Sequence, residues 1–242
     1  MAILAYISKM DNNGHKTKRV NDVFNQVYNK YDLMNDIMSL GVHRIWKNNF
    51  VTWLNPQPHT KLIDVASGTG DITRYIYQNK FSNVEISCVE PNKKMYQIGK
   101  INLADMKNVN WYLNYAEKLP FKTEEFDYYT ISFGLRNTTN IHQSLKEAHR
   151  VLKKGGRFMC LEFSKVENEI FKSLYNSYSK IIPKIGKIVT GNEKPYDYLI
   201  KSINDFYTQN KLKDILKEVG FHSVEYRNLS NGIATIHSCW KI

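Results

Sequence analysis

The sequence predicts an α/β fold, a mostly parallel sheet with helices on both faces and one antiparallel strand added near its end. Three observations predict it. Between Leu62 and Phe163, short apolar runs alternate with stretches patterned at helical spacing, the rhythm of βαβ units. The first of these runs carries an acid and enters a glycine turn, Leu62-Ile63-Asp64-Val65-Ala66-Ser67-Gly68-Thr69-Gly70-Asp71. Near the C-terminus, Ser230-Asn231-Gly232 separates two strand patterns, and turn chemistry of that kind joins antiparallel neighbours.

In chain order, residues 1–18 are polar and irregular, after which Val20, Val23, Phe24, Val27, Tyr28 and Tyr31 recur at helical spacing. Arg44–Leu54, with Trp46, Phe50 and Trp53, predicts a second helix, which Asn55-Pro56-Gln57-Pro58 ends because proline has no N–H to continue it. Strands are expected at Leu62–Ala66, Val84–Val89, Val109–Leu113, Asp127–Phe133 and Arg157–Phe163, and helices at Lys94–Ala104 and Ile141–Leu152. After Ser164 the rhythm stops. An apolar helical stripe from Ile170 to Ile182 and further helical material to about residue 205 read as an insertion. A helix at Lys211–Val219 and strands at Ser223–Leu229 and Ile233–Lys241 close the chain. The expected organisation is one domain in four parts: a helical N-terminal segment (1–58), a ligand-binding sheet (61–163), a helical insertion (164–210), and a C-terminal helix and hairpin (211–242).

Composition narrows the class. With 42% hydrophobic residues and only 12 glycines and 6 prolines in 242 positions, the chain is a folded globular protein of a size that builds one large core. No stretch reaches the roughly 18 apolar residues a spanning helix requires. The three cysteines, Cys88, Cys160 and Cys239, lie far apart with no CxxC, so no disulfide framework is written here. The seven histidines show neither HxH nor HExxH spacing, and no metal is expected. Lys and Arg outnumber Asp and Glu by 34 to 23, a net charge of +11. Apart from His15-Lys16-Thr17-Lys18-Arg19 the cations are dispersed in ones and twos, which favours a general surface field over a nucleic-acid groove.

The glycine turn carries the chemistry. Gly68 and Gly70 let a ligand approach main-chain N–H groups at a helix start, and Asp64 either supports the loop or reaches the ligand. Glu90, directly after the next expected strand, is placed to accept both ribose hydroxyls of a nucleotide-like ligand. Nicotinamide cofactors and S-adenosylmethionine both satisfy this arrangement. Thr73 stands where a third glycine would pack on a pyrophosphate, so a ligand without phosphates is preferred, and the absence of GKS or GKT removes a P-loop.

Two long signatures then stand in order: Tyr31-Asp32-Leu33-Met34-Asn35-Asp36-Ile37-Met38-Ser39-Leu40-Gly41-Val42-His43-Arg44-Ile45-Trp46-Lys47, and Arg150-Val151-Leu152-Lys153-Lys154-Gly155-Gly156-Arg157-Phe158 followed by Leu161-Glu162-Phe163-Ser164-Lys165. With Ser132-Phe133-Gly134-Leu135-Arg136-Asn137 and the ending Gly232-Ile233-Ala234-Thr235-Ile236-His237-Ser238, the chain resembles the ubiquinone/menaquinone biosynthesis C-methyltransferase family from about Val20 to its C-terminus. The ending is most similar to the mitochondrial, ubiquinone-pathway branch.

The resemblance implies a class I methyltransferase (Rossmann-like) fold, seven strands with the last antiparallel, and S-adenosylmethionine as cofactor. It implies cofactor contacts at Thr69, Glu90, Tyr115, Ala116 and Ser132, beside Asp64, Gly68 and Gly70 from the turn itself. Two positions depart from the family's pattern: Ser67 replaces a usual glycine, making the loop less permissive, and Tyr115 replaces a usual Asp or Asn, leaving backbone or Glu117 contacts to serve the adenine. The implied substrate is a polyprenyl quinol, 2-methoxy-6-polyprenyl-1,4-benzoquinol or demethylmenaquinol, whose ring carbon becomes nucleophilic when an adjacent hydroxyl loses its proton. Arg136 is the expected electrostatic partner of that phenolate, since a guanidinium holds its proton too tightly to act as a base, and Asn137 would position the ring oxygen. Tyr31, Asp32, Asn35 and His43 are the polar candidates of an N-terminal wall and lid, with His43 titrating nearest neutrality. Met34 and Met38 read as packing, and the Ile170–Ile182 stripe either receives a prenyl tail or packs on the sheet. The expected partners are a peripheral membrane surface on the matrix side of the mitochondrial inner membrane (the cytoplasm in a bacterium) and a quinone-biosynthesis assembly, with a homodimer left open and no nucleic acid. Against a base methyltransferase on the same sheet, Ser-Phe-Gly-Leu replaces the Asn/Asp-Pro-Pro-Tyr/Phe that holds a planar amine; a non-catalytic scaffold is the rival from outside enzymes.

Overall fold

Asn55, in the left-handed conformation, ends the helix α1 (His43–Leu54), and Pro56 prevents its continuation. The computed structural model describes residues 41–79, 81, 83–166 and 193–242, together with 16, 18, 20, 22, 23, 25, 35–37, 39, 183, 187 and 191. Beyond the prolines follow β1 (Lys61–Val65), α2 (Asp71–Gln78), β2 (Glu85–Val89), α3 (Lys93–Asn102), β3 (Val109–Tyr112), β4 (Phe126–Ser132), a 3-10 turn (Leu135–Asn137), α4 (Ile141–Val151) and β5 (Leu152–Phe163). The chain closes with α5 (Lys194–Asp205), α6 (Gln209–Val219), β6 (His222–Leu229) and β7 (Ala234–Trp240).

The strands form one seven-stranded sheet in the order β3-β2-β1-β4-β5-β7-β6. β1 pairs in parallel with both β2 and β4, and β4 with β5. β7 lies between β5 and β6 and is antiparallel to both. The predicted hairpin is therefore present, with Ser230, Asn231 and Gly232 all at positive φ in its turn. Most expected boundaries move by only one or two residues. β5 is the exception: it begins at Leu152 opposite Phe126, and its register slips so that Tyr128 faces Arg157, leaving Lys153–Gly156 as an irregularity inside the strand and not a turn before it.

Side chains alternate across the sheet and divide the core in two. Leu62, Met159, Leu161 and Phe163 meet Trp46 and Phe50 of α1, Ile72 and Ile76 of α2, and Tyr196 and Leu199 of α5. On the opposite face, Ile63, Val65, Phe158 and Cys160 meet Leu145 and Ala148 of α4 and Leu212, Ile215 and Leu216 of α6. Both faces being covered, the central strands read as continuous apolar runs. The described residues from 16 to 25 are helical. The Ile170–Ile182 stripe, Met34 and Met38 lie outside the described residues. Among the described residues no helix is long and apolar enough to cross a membrane.

Candidate active site

The order of strands reverses direction between β1 and β4, and in such sheets the loops leaving the two strands part company and open a crevice at their carboxyl ends. Both strands turn there through a left-handed non-glycine residue, Ala66 (φ 54°) after β1 and Phe133 (φ 54°) after β4. A left-handed residue costs on the order of 1–2 kcal/mol, so the surrounding packing must hold each turn. Gly134 allows the two turns to meet: a Cβ at that position would lie 2.4 Å from the Ala66 Cβ. At the start of α2, Gly70 (φ 91°) lets Leu103 pack where a Cβ would approach its Cδ1 to 2.6 Å. Ser67 proves compatible with the loop, contrary to the expectation of a less permissive turn. It is not among the positive-φ residues, so no glycine is required, and its Oγ donates to the Asp64 carbonyl at 2.6 Å.

Two cavities share Ala66, Gly68, Ser132 and Phe133 as a common wall. The larger encloses about 700 Å³, open to solvent, and brings together Gly68, Glu90, Tyr115, Ala116, Ser132 and Asn137. Glu90 is buried there, with Oε2 accepting the Gly68 N–H at 2.9 Å and Oε1 the Asn92 N–H at 2.8 Å. Each oxygen keeps a second lone pair for a ligand hydroxyl. Burial pushes its carboxyl up to about 7 despite those two N–H groups. Ala116 is buried, while Tyr115 is 42% exposed at the rim. Glu117 is engaged in holding the loop after β4: its Oε1 accepts the Thr139 N–H at 2.6 Å and the Asn140 N–H at 3.1 Å. The Ser132 Oγ is buried without a partner.

The smaller cavity lies against the glycine turn. Asp64 and Thr69 line it with Asn35, Lys47 and Asp71. Asp64 accepts the Thr130 hydroxyl on Oδ1 at 2.8 Å, but its Oδ2 is buried with no partner. Burial pushes this carboxyl up to about 7, with the neighbouring Asp71 and Glu90 adding to the effect. Lys47, nearly buried, pairs with Asp71 across 2.5 Å. Neither residue is singled out by sequence pattern. Lys47 ends the N-terminal signature and Asp71 ends the glycine-turn motif, and only their meeting marks them.

Arg136, the expected electrostatic partner of the phenolate, is engaged within the protein. Its guanidinium forms a buried pair with Glu162, donates to the Phe133 carbonyl, and lies 5.4 Å from the centre of the Phe163 ring. It faces a second crevice with Tyr198 and Ser202 of α5, because the 3-10 turn rotates it away from the wall that Asn137 lines. Asn137 accepts the Tyr198 hydroxyl at 3.0 Å and donates to the Phe133 carbonyl at 3.3 Å, so it joins the cofactor-side wall to α5. Glu162 stands inside the second signature and Tyr198 in none of the quoted motifs, and only their contacts in the fold mark them. His43 sits at the start of α1 with Nε2 2.9 Å from Asp36 Oδ1. Burial and Lys47 lower its pKa, against the opposing pull of Asp36, and the buried Nδ1 has no partner among the described residues. Tyr31 and Asp32 lie outside the described residues.

A seven-stranded sheet of this order, with its crevice between β1 and β4 and an acid after β2, is the class I methyltransferase fold. Solved structures share it: one of a possible histamine N-methyltransferase from Thermotoga maritima is 19% identical, with a TM-score of 0.66 over 92% of this chain and all of that one. The profile of the ubiE/COQ5 methyltransferase family matches residues 12–241, and the chain belongs to that family. Curated relatives agree. The ubiquinone/menaquinone biosynthesis C-methyltransferase of Rickettsia bellii is 45% identical over 94% of both chains. The human mitochondrial 2-methoxy-6-polyprenyl-1,4-benzoquinol methylase is 42% identical over 94% of this chain and 81% of its own. The protein is a methyltransferase.

Proposed function

We propose that this enzyme methylates a ring carbon of a polyprenylated quinol, 2-methoxy-6-polyprenyl-1,4-benzoquinol, with S-adenosylmethionine as donor, in ubiquinone biosynthesis. One observation carries the cofactor: Glu90, with a spare lone pair on each oxygen, lines a cavity that runs into a second holding the orphaned Asp64 Oδ2. These residues fit S-adenosylmethionine. Glu90 suits the ribose diol, Ala116 and Tyr115 flank the place for an adenine, Gly68 and Thr69 present backbone at the turn, and Asp64 Oδ2 and Ser132 Oγ are buried polar atoms that a ligand could pair. A solved N-methyltransferase of Haemonchus contortus with this fold, 12% identical at a TM-score of 0.59, is in complex with S-adenosyl-L-methionine.

When bound, the cofactor supplies an electrophilic methyl group on a sulfonium. The protein must orient an electron-rich carbon toward it and favour the quinolate. Asn137, on the wall of the larger cavity, is the candidate to hold a ring oxygen, and the Arg136–Glu162 pair keeps the turn that carries it rigid. His43, whose buried Nδ1 has no partner among the described residues, is the candidate acceptor of the hydroxyl proton. The C-terminal motif and the mitochondrial relative support the benzoquinol; demethylmenaquinol is the second reading, supported by bacterial relatives named for both quinones. An insoluble prenyl tail supports work at a membrane surface, and a quinone-synthesis assembly is the partner we propose there.

Transfer of labelled methyl to reduced short-chain benzoquinol and demethylmenaquinol analogues, run in parallel, tests this. Faster transfer to the benzoquinol supports the proposal, and faster transfer to the naphthoquinol selects the second reading. Transfer to neither, with cofactor binding intact, would make the chain a scaffold.

A further inference from the structure

The cavity beside the glycine turn collects charges of both signs. Lys47 contributes an ammonium, 5% exposed, of whose three N–H donors one is paired among the described residues, with Asp71. Asn35, 3% exposed, contributes an amide Nδ2 with no partner, and Asp64, 1% exposed, an Oδ2 with none. An orphaned buried donor and an orphaned buried acceptor, each costly to leave unpaired, call for a ligand that accepts at one atom and donates at another. A simple anion is disfavoured, because Asp64 and Asp71 would face it. A zwitterion satisfies all three side chains.

We infer that the N-terminal segment holds the amino-acid end of the methyl donor, Lys47 and Asn35 receiving its α-carboxylate opposite the Asp64 that receives its α-ammonium. This rests on the proposed cofactor, and adds to it two residues outside the sheet that set specificity for an intact amino acid.

The fold holds both residues in place. Lys47 follows Trp46, whose ring lies 6.4 Å from Phe133 and 6.1 Å from Phe163 and whose Nε1 donates to Ser230 Oγ at 3.0 Å. The ammonium is thus delivered by a helix anchored in the core. Asn35 is tied to the same helix by a relay: its carbonyl accepts the Ser39 hydroxyl at 2.7 Å, and the Ser39 Oγ accepts the His43 N–H at 3.1 Å. The shared wall at Gly68 and Ser132 places this cavity next to the one lined by Glu90, as one elongated ligand requires.

Calorimetry with three ligands tests the assignment: S-adenosylhomocysteine, its decarboxylated counterpart, and 5′-methylthioadenosine, which lacks the amino-acid end. Wild type should bind S-adenosylhomocysteine about 10- to 100-fold tighter than the decarboxylated compound, the scale of one charge-assisted hydrogen-bonded contact. Lys47→Met should abolish most of that preference while leaving affinity for 5′-methylthioadenosine unchanged, which also shows that the variant folds. Equal wild-type affinity for the first two ligands, or a preference undiminished in Lys47→Met, would overturn the assignment while leaving the cofactor in place. Wild type binding none of the three would overturn the proposed function itself.

Discussion

Arg136 and Glu162 form an ion pair inside the protein, Nη1 to Oε1 at 2.6 Å, with the two side chains 3% and 2% exposed. Glu162 also accepts the backbone N–H groups of Arg136 at 3.2 Å and Phe163 at 2.9 Å. The pair therefore ties the turn after β4 to the end of β5, the two strand ends beside the crevice. Burial pushes the Glu162 carboxyl up even with a guanidinium against it, the mark of a pair kept for position more than for stability.

Removing one partner strands a buried charge. Arg136→Ala should destabilise the fold by about 3–5 kcal/mol in denaturant titration, and Arg136→Met combined with Glu162→Leu by much less. If the guanidinium also assists the quinolate, the double variant should stay roughly 10²–10³-fold slow in kcat with cofactor affinity nearly intact. Wild-type turnover in the double variant would confine Arg136 to positioning.

Glu90 offers both carboxylate oxygens to the larger cavity. Glu90→Ala should weaken S-adenosylhomocysteine binding by about 1.5–3 kcal/mol in calorimetry, the value of a charge-assisted hydrogen bond. Unchanged affinity in a folded variant would remove the ribose from this place.

Asp64 links stability to pH. Its folded pKa of about 7 lies above the ordinary 3.8, so the folded state holds the proton more tightly. The resulting stability is complete below about pH 4 and lost as pH rises through about 7. In the ligand-free protein, the melting temperature of Asp64→Asn should gain on wild type progressively from about pH 4 to pH 8. A residual slope of the same sign should remain from Glu90, also raised to about 7. Parallel curves for variant and wild type would show that Asp64 ionises normally.

The net charge of +11, spread along the chain, predicts attraction to anionic bilayers. Flotation with liposomes should show binding that rises with anionic lipid and falls with salt, since exposed charges are screened beyond about 10 Å at 0.1 M. Equal partition to neutral vesicles would argue against a membrane face built on charge.

What the chain declares by itself is what near neighbours decide. The apolar run into Ser67-Gly68-Thr69-Gly70 specifies a strand and a tight turn, Glu90 follows the next strand, and Ser230-Asn231-Gly232 specifies a hairpin, because backbone conformation and side-chain alternation act over a few residues. The acids and glycines of the crevice were legible for that reason. Lys47 beside Asp71, Arg136 beside Glu162, and Tyr198 beside Asn137 were not. These pairs stand 24, 26 and 61 positions apart, and no local pattern relates their members. They meet only because β4 takes its place next to β1 and β5, and because α1 and α5 pack on one face of the sheet, so that burial and charge pairing across the fold complete a site whose frame alone is local.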